Sequence, residues 1–145
     1  MAKTISFAVT TEVRDACLCL HAQRAARALA RRFDDALRPV GLTNGQYSLL
    51  HALNQPKPPA MGRIARFLAM DRTTLTAMLK PLERDGLVKV APDPEDRRSR
   101  LLSLTGKGHQ RLLAAVPIWR RLHAEIEAAL PQDASKLRAG LTALA

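Results

Sequence analysis

Residues 68–108 read "LAMDRTTLTAMLKPLERDGLVKVAPDPEDRRSRLLSLTGKG". Asp71 has the form of a helix cap, and behind it Leu75, Met78, Leu79 and Leu82 share one helical face up to Gly86. Pro81 falls inside this helix, where a proline costs about 3 kcal/mol, so a kink or local loosening is expected. "LVKVAP" and "RLLSLT" then alternate as half-buried strands do, and the polar residues between them predict a hairpin. Its tip carries Arg97, Arg98 and Arg100 behind Pro92, Pro94 and the acids Asp93, Glu95 and Asp96. Carboxylates there could hold the guanidinium groups extended by ion pairing, and the prolines would stiffen the loop.

Working outward, Met61, Ile64, Ala65 and Leu68 predict a short helix from about Ala60, after a rigid "PKP" linker ending at Pro59. "TNGQ" at 43–46 has the capping-box form and opens a helix through about Asn54. From Glu12 to about Leu37 there is no Gly or Pro, and Val13, Cys17, Leu20, Ala26, Ala30, Phe33 and Leu37 mark one face of a long helix. Thr105 can cap a fifth helix through about Ala129, interrupted at Pro117, and Pro131 fits the first turn of a sixth bearing Leu137, Leu141 and Leu144.

Two short helices joined by a tight turn, then a basic hairpin, make a mainly α winged helix-turn-helix. The helix after Asp71 would lie in a DNA major groove, with Arg72, Thr73, Thr74, Thr76 and Ala77 near the bases and Lys80 near phosphate. The two-stranded wing would carry an arginine into the minor groove, and the spacing does not choose between Arg97 and Arg98. The competing reading is that the threonines are weak helix formers on a wet face and the arginines a solvated loop.

The quoted run resembles the DNA-binding segment of the MarR family of bacterial regulators. The match includes the D-x-R wing tip, at Asp96 and Arg98, and the "LT-x-x-G" exit, at Leu104, Thr105 and Gly108. The resemblance implies a homodimer on a pseudo-palindromic operator and gives the minor-groove role to Arg98. One MarR-type domain over 1–145 is expected. In it, 12–38 and 105–145 form the helical dimerisation region, and 43–104 form the winged lobe.

"CLCLHAQRAARALARRFDDALRPVGLTNGQY" further resembles the first helix of the family's organic-hydroperoxide regulators, in which a cysteine is oxidised and DNA is released. The ungapped correspondence puts that cysteine at Cys19 rather than Cys17. Where those regulators supply three tyrosines to support the thiol, this chain has Gln23, Phe33 and Asn44. The alternatives are that both cysteines are small packing residues, or that a dimer uses them for a soft metal. Two residues apart on a helix they diverge by about 200°, so one chain could not chelate without unwinding. A phenolic or aromatic effector would look to Phe33, Tyr47 and His51, with Trp119 nearby in the cleft between the first, second and fifth helices.

Lys and Arg outnumber Asp and Glu by 23 to 13, a surplus that suits a polyanion and is also compatible with a merely basic protein. Arg24, Arg27, Arg31 and Arg38 form a stripe on the first helix, read as a solvated face or as a phosphate or anion contact. No apolar run approaches the length of a membrane span and no secretory leader is evident, so a cytoplasmic protein is expected. With no nucleophile elbow, glycine-rich phosphate loop or metal-ligand spacing, neither an enzyme nor a resident cofactor is expected. A non-specific architectural DNA-binding protein is the remaining rival, and the threonine-rich recognition helix argues against it.

Overall fold

The structure, a computed structural model, describes residues 3–145, and the long helix expected from Glu12 is two helices in it. Helix α1 spans Phe7–Ala16 and α2 spans Leu18–Leu37. Cys17 stands between them in an extended conformation (φ −70°, ψ 108°), and its Sγ accepts the N–H of Leu20 at 3.4 Å. The thiol therefore does what a Ser or Asn side chain does at a helix start. Because apolar spacing continues through the break and no Gly or Pro marks it, periodicity alone could not reveal it.

A single 3-10 turn, Arg38–Val40, ends α2 and passes through left-handed Gly41 (φ 69°). Helix α3, Asn44–Leu53, opens with the expected capping box: Thr43 Oγ1 accepts from Gln46 N–H at 3.2 Å, and Gln46 Oε1 accepts from Thr43 N–H at 3.0 Å. The segment expected to be only a linker also does sheet work. Pro59 O accepts from Leu102 N–H at 2.9 Å, and Ala60 bridges Leu101 antiparallel.

Helices α4, Met61–Phe67, and α5, Arg72–Arg84, form the helix-turn-helix. Both end in the same way. Met70 N–H bonds Ala65 O and Ala69 N–H bonds Arg66 O after α4; Leu87 N–H bonds Leu82 O and Gly86 N–H bonds Glu83 O after α5. The left-handed residue of this arrangement is Gly86 (φ 74°) in one case and Ala69 (φ 51°) in the other. Strands β1, Val88–Pro92, and β2, Arg100–Leu104, pair antiparallel from Val88 opposite Leu104 to Pro92 opposite Arg100.

Helix α6, Gly106–Ala128, runs 23 residues through Pro117 without the expected interruption. Pro117 removes one N–H, but the ring and Leu113, whose carbonyl it strands, are both on the exposed side, where water can satisfy that oxygen. In α5 the half-buried Pro81 likewise strands the carbonyl of an exposed residue, Ala77, and that helix also continues. Helix α7 is Ala134–Leu144; Asp133, not Pro131, starts it, with Oδ1 accepting from Ser135 N–H at 2.8 Å.

The core is mostly leucine, including Leu37, Leu49, Leu50, Leu75, Leu82, Leu87, Leu102 and Leu112, with Ile64 from α4 and Val88 from β1. Helix α6 packs on α2 and α3, and its first turn abuts the end of α5. Thr105 Oγ1 donates to Gly86 O at 2.6 Å while accepting from Gly108 N–H at 3.0 Å, and Lys107 Nζ donates to Asp85 O at 2.8 Å. Gly108 is required there: a β-carbon on it would stand 2.2 Å from Leu87 O. Helices α1 and α7 bury no residue, and among the described residues no helix is long and apolar enough to cross a membrane.

Candidate nucleic-acid interface

Burial of Leu75, Leu79 and Leu82 orients α5 and leaves Arg72, Thr73, Thr74, Thr76, Ala77 and Lys80 exposed. Asp71 fixes the start of the helix: Oδ1 accepts from Thr74 N–H at 2.7 Å and Oδ2 from Thr74 Oγ1 at 3.1 Å. The Thr74 N–H holds the Asp71 carboxyl below the usual carboxylate range, so the cap is anionic at neutral pH. Thr76 Oγ1 donates to Arg72 O at 2.7 Å. Thr74 and Thr76 have thus spent their hydroxyl protons internally. Toward a ligand they present lone pairs and methyl groups, the means of accepting from a base amino group or touching a thymine methyl.

The wing tip is ordered by its acids, but not by the ion pairs expected from the sequence. Asp96 Oδ1 accepts from Arg98 N–H at 3.0 Å and Asp93 Oδ1 from Glu95 N–H at 2.9 Å; Ser99 N–H bonds Asp96 O, and Asp93 N–H bonds Ser99 O. These are Asx turns, in which short carboxylates satisfy nearby main-chain donors more readily than they reach a mobile guanidinium. Among the described residues, Arg97, Arg98 and Arg100 have no carboxylate partner and all three are exposed. The tip is a preset turn presenting guanidinium donors to solvent.

The residues singled out for signal reception separate. Cys17 is half-buried at the α1–α2 break, whereas Cys19 is exposed on α2. Gln23 Nε2 donates to Cys19 Sγ at 3.2 Å, so a residue standing where a phenol was expected still supplies a hydrogen bond to the sulfur. Phe33 and Tyr47 lie in the closed core, 8% and 7% exposed, and do not open a pocket for an aromatic effector. Burial pushes the Tyr47 phenol up. Tyr47 packs edge-on against His51 at 4.5 Å and stacks toward Trp119 at 6.4 Å, and Trp119 stacks on His123 at 4.6 Å. His51 alone of the three faces open space, a cavity of about 510 Å³ lined by Ser48, Ala52, Phe67 and Leu68. Partial burial lowers its pKa, because desolvation disfavours the charged ring.

The stripe on α2 also divides. Arg38 pairs with Asp35 at 2.6 Å, whereas Arg24, Arg27 and Arg31 line an open hollow with His21, Ala25 and Ala28. Among the described residues no three His, Cys, Asp or Glu side chains gather as a metal site. Gly62 and Arg66 escaped the sequence reading. They lie four residues apart on one face of α4, but nothing in the sequence shows that Arg72 folds back over them.

The model of the MarR family matches residues 42–99, the segment from the entry to α3 through the wing tip. The Mycobacterium tuberculosis transcriptional regulator MosR, solved in complex with DNA, is 40% identical and superposes with a TM-score of 0.81 over 88% of this chain and 92% of that one. The transcriptional activatory protein BadR of Rhodopseudomonas palustris is 39% identical over 95 residues, 63% of this chain and 54% of that protein. The organic hydroperoxide resistance transcriptional regulator of Bacillus subtilis is 32% identical over 91 residues, 63% of this chain and 62% of that protein. The chain therefore spans between half and two thirds of these curated relatives. All three proteins are regulators of transcription. With the wing, the helix-turn-helix and the helices around them matched in order, the chain belongs to the MarR family.

Proposed function

We propose that this protein is a sequence-specific DNA-binding regulator of transcription, a homodimeric repressor acting in the cytoplasm on a pseudo-palindromic operator. The observation that carries the reading is the pairing of an exposed α5 face with a wing whose arginines, among the described residues, lack carboxylate partners. Residues 43–104 form the DNA-binding lobe, with Arg72, Thr73, Thr74, Thr76, Ala77 and Lys80 along the major groove and Asp96, Arg97, Arg98 and Arg100 at the wing. Residues 12–38 and 105–145, joined by α1, form the dimerisation region. Ile5 and Phe7 are 79% and 77% exposed and Leu144 is 65% exposed, apolar surface that a second copy of the chain would cover. The test is a titration against the DNA upstream of the protein's own coding sequence and against a scrambled duplex, over a range of salt. A specific regulator prefers the former, and its affinity falls steeply with salt for both.

The signal that releases DNA is oxidation of Cys19. Its exposure and the Gln23 amide on its sulfur support this reading. In the step, the thiolate sulfur takes the terminal oxygen of an organic hydroperoxide, the O–O bond breaks, and an alcohol leaves after protonation, giving a sulfenic acid. Hydroperoxide then releases wild-type protein from DNA and leaves Cys19→Ser bound. Release of both proteins, or of neither, moves the signal to a small ligand, for which the cavity at His51 is the first place to look.

A further inference from the structure

Helices α4 and α5 meet where Gly62 faces the start of the recognition helix. A methyl group at Gly62 would stand 3.0 Å from Arg72 Nη2 and 3.7 Å from Arg66 Nη1. Two guanidinium groups thus converge above one glycine, one reaching along its own helix from four residues away and the other folding back across the turn. Among the described residues neither has a carboxylate partner, and Asp71, next to Arg72 in sequence, is occupied in capping Thr74. Like charges brought together repel unless an anion lies between them. Guanidinium groups aimed at one point supply several N–H donors in the fork geometry that suits phosphate oxygens.

We infer that Arg66 and Arg72, converging over Gly62, form a clamp for a single backbone phosphate of the bound DNA. The site rests on the DNA-binding reading above and refines it. Arg72 positions the recognition helix on the duplex and does not read a base, so base contacts fall to the residues after it on α5. Gly62 leaves room for the Arg72 head to lie against the α4 backbone. Any side chain there would meet only the far end of a flexible arginine, so Gly62→Ala turns the guanidinium aside without disturbing the core.

The experiment measures binding of wild type, Gly62→Ala, Arg66→Gln, Arg72→Gln and the Arg66→Gln/Arg72→Gln double variant. Each is titrated on the upstream duplex and on a scrambled duplex over a salt series, with thermal melting as the control for folding. The expected result is that Gly62→Ala and both single variants melt like wild type and bind each duplex several-fold more weakly, with the preference between duplexes unchanged. The double variant loses about one unit from the slope of log affinity against log salt, the value for one phosphate contact. Replacing phosphates of the duplex one at a time by neutral methylphosphonate finds one position that weakens wild type and leaves the double variant indifferent. The inference is overturned if Arg72→Gln changes the preferred sequence while the salt slope stays put, because Arg72 then reads bases. It is also overturned if the double variant binds both duplexes with the affinity and salt slope of wild type, because neither guanidinium then touches DNA. Failure of wild type to bind any duplex removes the regulator reading together with the clamp, a result distinct from both.

Discussion

Arg98 and Gly108 show how single residues of one motif do different work. The main-chain N–H of Arg98 is held by Asp96 while its head stays unpaired, so its replacement should leave the turn intact and remove a groove contact. Arg98→Ala is expected to weaken operator binding by about 1–3 kcal/mol with no change in melting temperature, as read by anisotropy and calorimetry side by side. Gly108 has the opposite character. Its β-carbon would press on the Leu87 carbonyl, a main-chain atom that cannot swing aside, so Gly108→Ala should cost about 1–3 kcal/mol or more in urea unfolding. A variant as stable as wild type would show that α6 can shift away from β1. Both residues stand in motifs that the sequence displays, but the contacts around them were not legible there. The wing acids were expected to pair with arginines and instead close the turn through its main chain, a choice fixed by atomic reach that residue type does not encode.

Among the elements, α5 has the clearest local logic: a cap at Asp71, a buried leucine face and a stop at Gly86 were all readable in advance. Leu75 is completely buried, and Leu75→Ala should destabilise by about 2–5 kcal/mol. The Asp71 carboxyl is held below its usual range, so its contribution is fully present above about pH 4, the ordinary carboxylate value, and is lost as pH falls through that value toward the folded one. Asp71→Ala should therefore melt lower than wild type at neutral pH and lose less of its melting temperature on acidification. Equal acid slopes for the two proteins would remove the cap from the account. The turn before α5 holds Ala69 at φ 51°, a conformation that costs a residue with a β-carbon about 1–2 kcal/mol. Ala69→Gly should stabilise the protein by about 0.5–1 kcal/mol once the greater freedom of glycine in the unfolded chain is deducted. Less legible were the prolines and the N-terminal break. Pro81 and Pro117 were expected to disturb their helices, yet in each case the stranded carbonyl belongs to an exposed residue. The division between α1 and α2 rests on one cysteine acting as a cap, which no spacing rule would find.

At the scale of the whole molecule, the winged lobe closes its own core while α1 and α7 close nothing. The apolar face read from Val13 to Leu37 is buried within the chain only at its C-terminal end, at Phe33 and Leu37. Its N-terminal half is exposed or half-buried, and the proposed dimer predicts a sedimentation mass of two chains that falls to one when Phe7→Asp and Leu144→Asp are combined. Helix α6 joins that region to the lobe through Thr105 and Lys107, which donate to the carbonyls of Gly86 and Asp85 just after α5. A change in dimer geometry would therefore reach the recognition helix through main-chain hydrogen bonds. The central claim is that α5 and the wing together read a DNA sequence, and the measurement that tests it most directly compares the upstream duplex with a scrambled duplex of equal length at one physiological salt concentration. The account predicts that wild type prefers the upstream duplex by roughly 1,000-fold or more, and that Arg98→Ala and Thr73→Ala each shrink that preference. Equal affinity of the wild-type protein for the two duplexes would contradict it.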